Sequence, residues 1–325
     1  MSENPLVSVV IPFFRRQMEL QTLLASLMEL RKPQAGVEVI VVQDGSEVED
    51  KEVLQQRYSS INLRFISNPK NSGPGFSRNN GSNHARGDYL WFLDTDAVAP
   101  NPNVLLEMIS VMKTKPKCVA VGGIIEKVGE QDRMLRPIQL PAYHFLFEPV
   151  RAKANYEEVV PFLNTTSFFV RRLEFCNAGQ FDTSMNMYED NELGLRLQRH
   201  YGGFLYQSSQ TMMCHRMSLN GREGGFFTYF NDQSRYLKTK FYCRNLLMQR
   251  YSRWRLAVLP ALEAYSMAKF IAGYLMGRYH LSRFGAAIKR NPWLMWGRGF
   301  TILVQSLIHG FYLLPMPTQL RKKSL

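Results

Sequence analysis

The chain has 325 residues, 45% hydrophobic and 21% charged, which excludes a disordered or fibrous protein and leaves room for one large domain with an extension, or for two domains. Its four cysteines, Cys118, Cys176, Cys214 and Cys243, form no C-x-x-C pair, which argues against a zinc knuckle or a disulfide framework. The net charge of +13 is unevenly placed: residues 1–200 hold 22 Lys/Arg against 24 Asp/Glu, whereas residues 201–325 hold 18 Lys/Arg against Glu223, Asp232 and Glu263 alone.

The polar opening, Met-Ser-Glu-Asn-Pro, has no signal-peptide pattern, so the expected compartment is the cytoplasm. Leu6–Phe14 is a β-branched, strand-like run, and Met18–Leu30 has leucines at helical spacing. Val37–Val42 reads as a buried strand, Val48–Tyr58 as a polar helix and Ile61–Ser67 as a third strand. A Gly/Asn/Ser-rich stretch, Asn68–Asn83, contains a helix start, and Tyr89–Leu93 is a fourth strand. Strands alternating with helices predict right-handed βαβ crossovers, hence an α/β fold with a mostly parallel sheet and helices on both faces. Residues 100–210 look mixed, with Asn164–Val170 strand-like and Glu189–His200 helical. From about Gly224 the chain becomes aromatic, basic and helical.

Ligands of such sheets bind at the carboxyl ends of the strands, where polar clusters follow here at Pro12–Arg16, Asp44–Ser46 and Asp94–Asp96. Asp94-Thr95-Asp96 sets two carboxylates one residue apart at a strand end, where they repel unless a cation or solvent compensates. That pattern suits a hard divalent cation, or equally a solvated turn with a helix cap. Asp44, before Gly45-Ser46, has the chemistry to accept from a base N–H or a ribose hydroxyl, or simply to make an Asp-Gly turn. The stretch Asn71–Gly81 (NSGPGFSRNNG) is neither of the two familiar phosphate loops and alone reads as a loop with a helix cap. Glu189-Asp190 opens a helix where the dipole favours acidic residues; the pair is also suited to supply a general base.

In order, these segments resemble the family 2 glycosyltransferases, the inverting GT-A class. The matching stretches are VSVVIPFF at 7–14, VIVVQDGS at 39–46, NSGPGFSRNNG at 71–81, ARGDYLWFLDTD at 85–96 and NAGQFDTSMNMYEDNELGLRL at 177–197. The resemblance implies a nucleotide-sugar donor, with Asp44 on the base, expected to be uracil, and Pro12 shaping the adjoining loop. It implies Arg78 and Asn79 near the nucleotide or its diphosphate, and Asp94 facing the ribose or donor sugar. Asp96 is expected to bind Mg²⁺ or Mn²⁺, with His215 completing the metal site. Asp190 is expected to be the base that deprotonates the acceptor hydroxyl, with Glu189 on the acceptor side. Gln43 and Asn164-Thr165-Thr166 depart from the family pattern, which bears on substrate identity more than on fold.

Two domains are expected: a catalytic one over residues 1–223 and a basic, aromatic helical tail over 224–325. The tail interleaves Arg and Lys with aromatics, as in Arg250-Tyr-Ser-Arg-Trp254-Arg, which suits a helix lying on anionic headgroups at the inner face of a membrane. The run GFTILVQSLIHGFYLLPMPTQL at 299–320 approaches a bilayer-spanning length but is broken by polar residues and prolines. No nucleic-acid-binding module motif accompanies the basic residues, so nucleic acid is not an expected partner. Ser218–Phe227, with three glycines, reads either as a lid over the site or as a surface loop. The expected acceptor is a glycan or a lipid-linked hydroxyl. A nucleotidyltransferase also uses paired aspartates, but Pro-Phe-Phe-Arg-Arg stands where its glycine-rich loop belongs; an inactive nucleotide-sugar-binding scaffold would not need both Asp96 and Asp190.

Overall fold

The computed structural model describes residues 6–128, 158–160, 162–185 and 187–216, with Cys243, Leu246, Leu247, Arg250 and Ala261 besides. Every element named below lies in one compact unit, Met1–Met134 with Val150–Gly221. The order along the chain is β1 (Val7–Phe13), α1 (Gln17–Met28), β2 (Val37–Asp44), α2 (Lys51–Arg57), β3 (Leu63–Asn68), α3 (Pro74–Asn83) and β4 (Tyr89–Phe92). Then come β5 (Ala97–Val98), α4 (Val104–Thr114), β6 (Cys118–Val128), β7 (Glu158–Val160), β8 (Phe168–Arg171), α5 (Arg172–Asn177), α6 (Glu189–Tyr201) and β9 (Phe204–Arg216).

The described strands form one nine-stranded sheet in the order β3-β2-β1-β4-β8-β6-β9-β5, with β7 paired to β9. Its first four strands are parallel. The second half is mixed: β8 runs antiparallel to both neighbours, β6 and β9 are parallel, and β5 and β7 are antiparallel to β9. This reversal decides the site. Because β8 is antiparallel to β4, the residues leading into β8 arrive at the edge where β1, β2 and β4 end.

Strand alternation divides the core into two layers. Val7, Val9, Ile11 and Phe13 of β1 face α1 and α4 through Leu20, Leu23, Leu24, Leu27, Leu105 and Met108. Val10 joins the other face, with Ile40, Val42, Phe92, Phe168, Phe175 of α5, and Leu193 and Leu197 of α6. On that second face α3 lies directly on β1: a Cβ at Gly81 would stand 2.4 Å from Val10 Cγ1, so the glycine of R-N-N-G is a packing requirement. Among the described residues no helix is long and apolar enough to cross a membrane. The tail expected over 224–325, the run at 299–320 and the lid expected at Ser218–Phe227 lie outside the described residues, apart from the five isolated positions above.

One expected strand starts late. Asn164–Ser167 is a turn and β8 begins at Phe168. The Asn164 side-chain carbonyl accepts from the Thr166 N–H (2.8 Å) and Thr166 Oγ1 (2.7 Å), and the Ser167 N–H donates to the Asn164 carbonyl (3.0 Å). These local bonds replace strand pairing, the usual effect of Asn and Thr.

The amino-terminal edge of the sheet is locked by a carboxylate with no solvent exposure, Glu38. Its oxygens accept from Ser8 Oγ (2.6 Å), the Arg86 N–H (2.7 Å) and Arg64 Nη2 (2.6 Å), tying β1, β2, β3 and the approach to β4. Burial raises its pKa, but these donors outweigh burial and hold it below the ordinary value. Its stabilisation is therefore present above the unfolded glutamate range and fades as pH falls through the depressed folded value. Glu38→Ala leaves two arginines and a hydroxyl facing an apolar gap. We expect it to lower the unfolding free energy by about 3 kcal/mol, read from urea titration at neutral pH, with the gap to wild type shrinking in acid.

Candidate active site

Asp44, at the end of β2, is buried and faces the loop that precedes α3. Its Oδ1 accepts from the Ser72 N–H (2.8 Å) and Asn68 Nδ2 (2.9 Å), and its Oδ2 from the Gly73 N–H (2.9 Å). The carboxylate thus fastens the glycine-rich loop. Gly45 permits the close turn, since a Cβ there would lie 2.5 Å from the Asn71 nitrogen, and its φ is +76°. Arg78 and Asn79, one helical turn inside α3, are also turned inward. Asn79 exchanges two hydrogen bonds with the Phe181 backbone, both 2.9 Å, pinning the loop after α5 to α3. Arg196 of α6 holds the same loop by donating to Gln180 O (2.6 Å) and Ala178 O while paired to Glu192.

Arg78 has a side chain 3% exposed and bridges two segments far apart in sequence. Its Nη2 donates to Asp94 Oδ1 (2.6 Å), its Nη1 to Glu189 Oε1 (2.9 Å), and the guanidinium lies 5.6 Å from the centre of the Phe181 ring. Burial lowers its pKa, but Asp94, Glu189 and Asp190 outweigh burial and raise it, so it stays charged. The resemblance puts Arg78 and Asn79 beside the nucleotide and Glu189 toward the acceptor. In the structure all three groups are engaged with protein, Glu189 with Arg78.

Asp94 and Asp96 leave the end of β4. The turn between them is held to β1 by Thr95 Oγ1, which donates to the Pro12 carbonyl (2.6 Å), so Pro12 acts here through its backbone. Thr166 Oγ1, supplied by the antiparallel approach to β8, lies 3.0 Å from the second Asp94 oxygen and shares its one hydrogen between that oxygen and Asn164 Oδ1. Asp96 Oδ1 meets His215 Nε2 at 3.0 Å, and Oδ2 meets Nη1 of Arg16. His215 comes from the far end of β9, brought in because it pairs with Ala97 of β5, next to Asp96. Burial raises the Asp96 pKa, but the hydrogen bond and charge of His215 and of Arg16 outweigh it, and the carboxyl lies below its ordinary value.

Donor atoms of Asp94, Asp96 and His215 lie within 4.8 Å of one another. Two carboxylates and one imidazole fit a divalent cation of the first transition row, and two hard oxygens also suit Mg²⁺. Sequence reasoning gave Asp96 and His215 as metal ligands and Asp94 to the donor; the geometry puts all three in reach of one ion.

Asp190, in the first turn of α6, is half-buried. Its Oδ1 accepts from the Asn191 N–H (2.8 Å) and its Oδ2 from the Thr165 N–H (3.3 Å). Burial first, and Glu189 second, push its pKa up to about 7. Asp94 and Asp190 are thus held by adjacent residues, Thr166 and Thr165, which places the carboxylates of the β4 end and the α6 start on either side of one turn. Sequence reading missed Arg16 as an Asp96 partner and Asn164–Thr166 as the turn between the carboxylates. The signal for the latter was present in Asn-Thr-Thr, which favours turns over strand interiors.

A nine-stranded α/β sheet with acidic residues gathered at the carboxyl edge is the architecture of nucleotide-sugar transferases of the GT-A type. The model of "Glycosyl transferase family 2" matches residues 8–176, and the chain belongs to that family. An uncharacterised glycosyltransferase of Haemophilus influenzae is 36% identical over 91 residues, 28% of this chain and 29% of that one. Poly-beta-1,6-N-acetyl-D-glucosamine synthase of Staphylococcus epidermidis is 22% identical over 179 residues, 55% of this chain and 42% of that one. This chain spans less than half the length of these relatives. Among solved structures, a mannosyltransferase from Pyrobaculum calidifontis in complex with GDP-Man and Mn²⁺ superposes with a TM-score of 0.61 at 16% identity, over 95% of this chain and 88% of that one. TarS of S. aureus superposes at 0.53 with 18% identity, over 82% and 54%.

Replacing Asp96 and His215 separately tests the candidate metal site. Asp96→Asn should abolish Mn²⁺ retention measured by electron paramagnetic resonance. His215→Gln should weaken it by about tenfold or more with the thermal transition little changed.

Proposed function

We propose that the chain is an inverting glycosyltransferase that moves a sugar from a nucleotide-diphosphate donor, a UDP-sugar, to a hydroxyl of a glycan or lipid-linked acceptor. The observation that carries the reading is the meeting of Asp94, Asp96 and His215 at one sheet edge, with Asp190 held on the other side of the Asn164–Thr166 turn. The three ligands would hold Mg²⁺ or Mn²⁺, which when bound offsets the negative charge that develops on the departing diphosphate.

Asp190 removes the proton from the acceptor hydroxyl. As that O–H bond breaks, the oxygen bonds to the anomeric carbon from the side opposite the diphosphate; the carbon–oxygen bond to the diphosphate breaks and the configuration inverts. A base must be ionised to act, and its pKa near 7 balances basicity against the ionised fraction at neutral pH. Burial gives Asp190 that basicity, and the two backbone N–H groups from Asn191 and Thr165 orient it. Arg78 fixes Asp94 and Glu189 by hydrogen bonds, and Glu189, second to burial, raises the basicity of its neighbour Asp190. Asp44 orders the loop beside the nucleotide by accepting from Asn68, Ser72 and Gly73.

Asp190→Asn should retain UDP and Mn²⁺ binding by calorimetry and lose transfer by at least about 100-fold, the low end of general-base contributions. In the wild type kcat/KM should rise tenfold per pH unit and level off near pH 7, as the carboxyl loses its proton. Unchanged transfer by Asp190→Asn removes this residue as the base.

We also propose that residues 224–325 form a separate region that binds an anionic membrane surface at the cytoplasmic face, on the grounds of 15 excess positive charges over residues 201–325 interleaved with aromatics. The full chain should sediment with phosphatidylglycerol-containing vesicles and not with phosphatidylcholine alone, and added salt should release it. Equal binding to both vesicles defeats the electrostatic reading.

A further inference from the structure

Arg16 follows β1 and precedes the first residue of α1, outside the groups that serve above as metal ligands or base. The loop that carries it is fixed: Arg15 has φ +54°, and its N–H donates to Ser46 Oγ at 2.9 Å. Arg16 makes no side-chain cap to its helix. Its guanidinium instead covers Asp96 Oδ2, while His215 covers Oδ1. The Arg16 side chain is 43% exposed and that of Asp96 only 8%, so a solvent-facing cation closes over an inner metal-ligand carboxylate.

The charges around this edge make the pairing consequential. Asp94, Asp96, Glu189 and Asp190 gather acidic groups there, against the guanidinium groups of Arg16 and Arg78, with His215 beside Asp96. Arg78 is buried between two carboxylates and has nowhere to go. A divalent cation arriving alone must displace Arg16 from Asp96 and leave it unpartnered beside like charge. A cation arriving with a diphosphate brings the displaced guanidinium a new anion, and a planar guanidinium matches phosphate oxygens well.

We propose that Arg16 is a placeholder cation: it pairs with Asp96 when the site holds no metal, and pairs with the donor's diphosphate once metal and nucleotide are bound. The consequence is that Arg16 opposes metal binding alone and favours metal and nucleotide diphosphate together. This rests on the nucleotide-sugar reading above and adds a diphosphate-binding and coupling role to one residue.

The test uses the full chain as wild type, Arg16→Ala, and Arg16→Met, which keeps a long stem without charge. Calorimetry measures Mn²⁺ alone, UDP alone, and UDP in saturating Mn²⁺. Both variants should bind Mn²⁺ alone about fivefold more tightly and UDP in the presence of Mn²⁺ about tenfold more weakly, the scale of a single charge-assisted hydrogen bond. The factor by which Mn²⁺ tightens UDP should fall accordingly. Agreement of the two variants assigns the effect to charge rather than packing; either variant alone suffices if the other does not fold. Mn²⁺ affinity that is unchanged or weaker in the variants, or UDP affinity with Mn²⁺ that is unchanged, overturns the placeholder role and leaves the transferase reading intact. A wild type that binds neither Mn²⁺ nor UDP overturns that reading, and this one with it.

Discussion

A guanidinium almost sealed from water, Arg78, sits between the carboxylates of Asp94 and Glu189. A buried charge of that kind is tolerated only when opposite charges and hydrogen bonds compensate its lost hydration. Here the compensation comes from two segments more than ninety residues apart. The arginine therefore ties the end of β4 to the beginning of α6. The Asp94–Asp96 turn and Asp190 are built on those two ends, so their separation is set by the length of one fixed side chain. Phe181 under the guanidinium, pinned by Asn79, keeps the bridge from tilting.

The sheet topology supplies what a parallel βαβ array cannot. Four parallel strands gather Pro12, Asp44 and Asp94 at one edge. Reversing β8 delivers Asn164–Thr166 to that edge, and the pairing of β9 with β5 delivers His215. Each antiparallel pairing adds one functional group from the second half of the chain to the site begun by the first half. Gly45 and Gly73 take positive φ in turns that touch the site, and Asn164–Ser167 is a turn there too, whereas β1 and β2 behind them are buried along almost their whole length.

The parallel half was legible in the sequence because its strands are continuous apolar runs, such as VEVIVV, separated by a leucine-spaced helix. The first-turn acids of α6 and the paired aspartates after β4 were legible for the same reason: each sits where a periodic pattern ends. What the sequence hid was direction. Asp44, Arg78, Asn79 and Glu189 were located at the right edge, yet their polar groups turn toward protein, because inward and outward aim depends on neighbours from remote segments. Phe181 and Ser72 are invisible as partners until the chain is folded. The Asn164–Ser167 stretch read as strand because its apolar continuation dominated the pattern, while side-chain bonds to the backbone decided the turn.

The sheet also has an opposite rim, where Glu38 gathers Ser8, Arg64 and the Arg86 backbone. Both rims concentrate charge, but with contrary purposes. One is closed around a carboxylate with no solvent exposure; the other gathers the carboxylates of Asp94, Asp96 and Asp190. The length of β1 and β2 lies between them. Robustness and chemistry are thereby housed at opposite ends of the same strands, and substitutions that toughen the closed end have scope to accumulate without disturbing the open one.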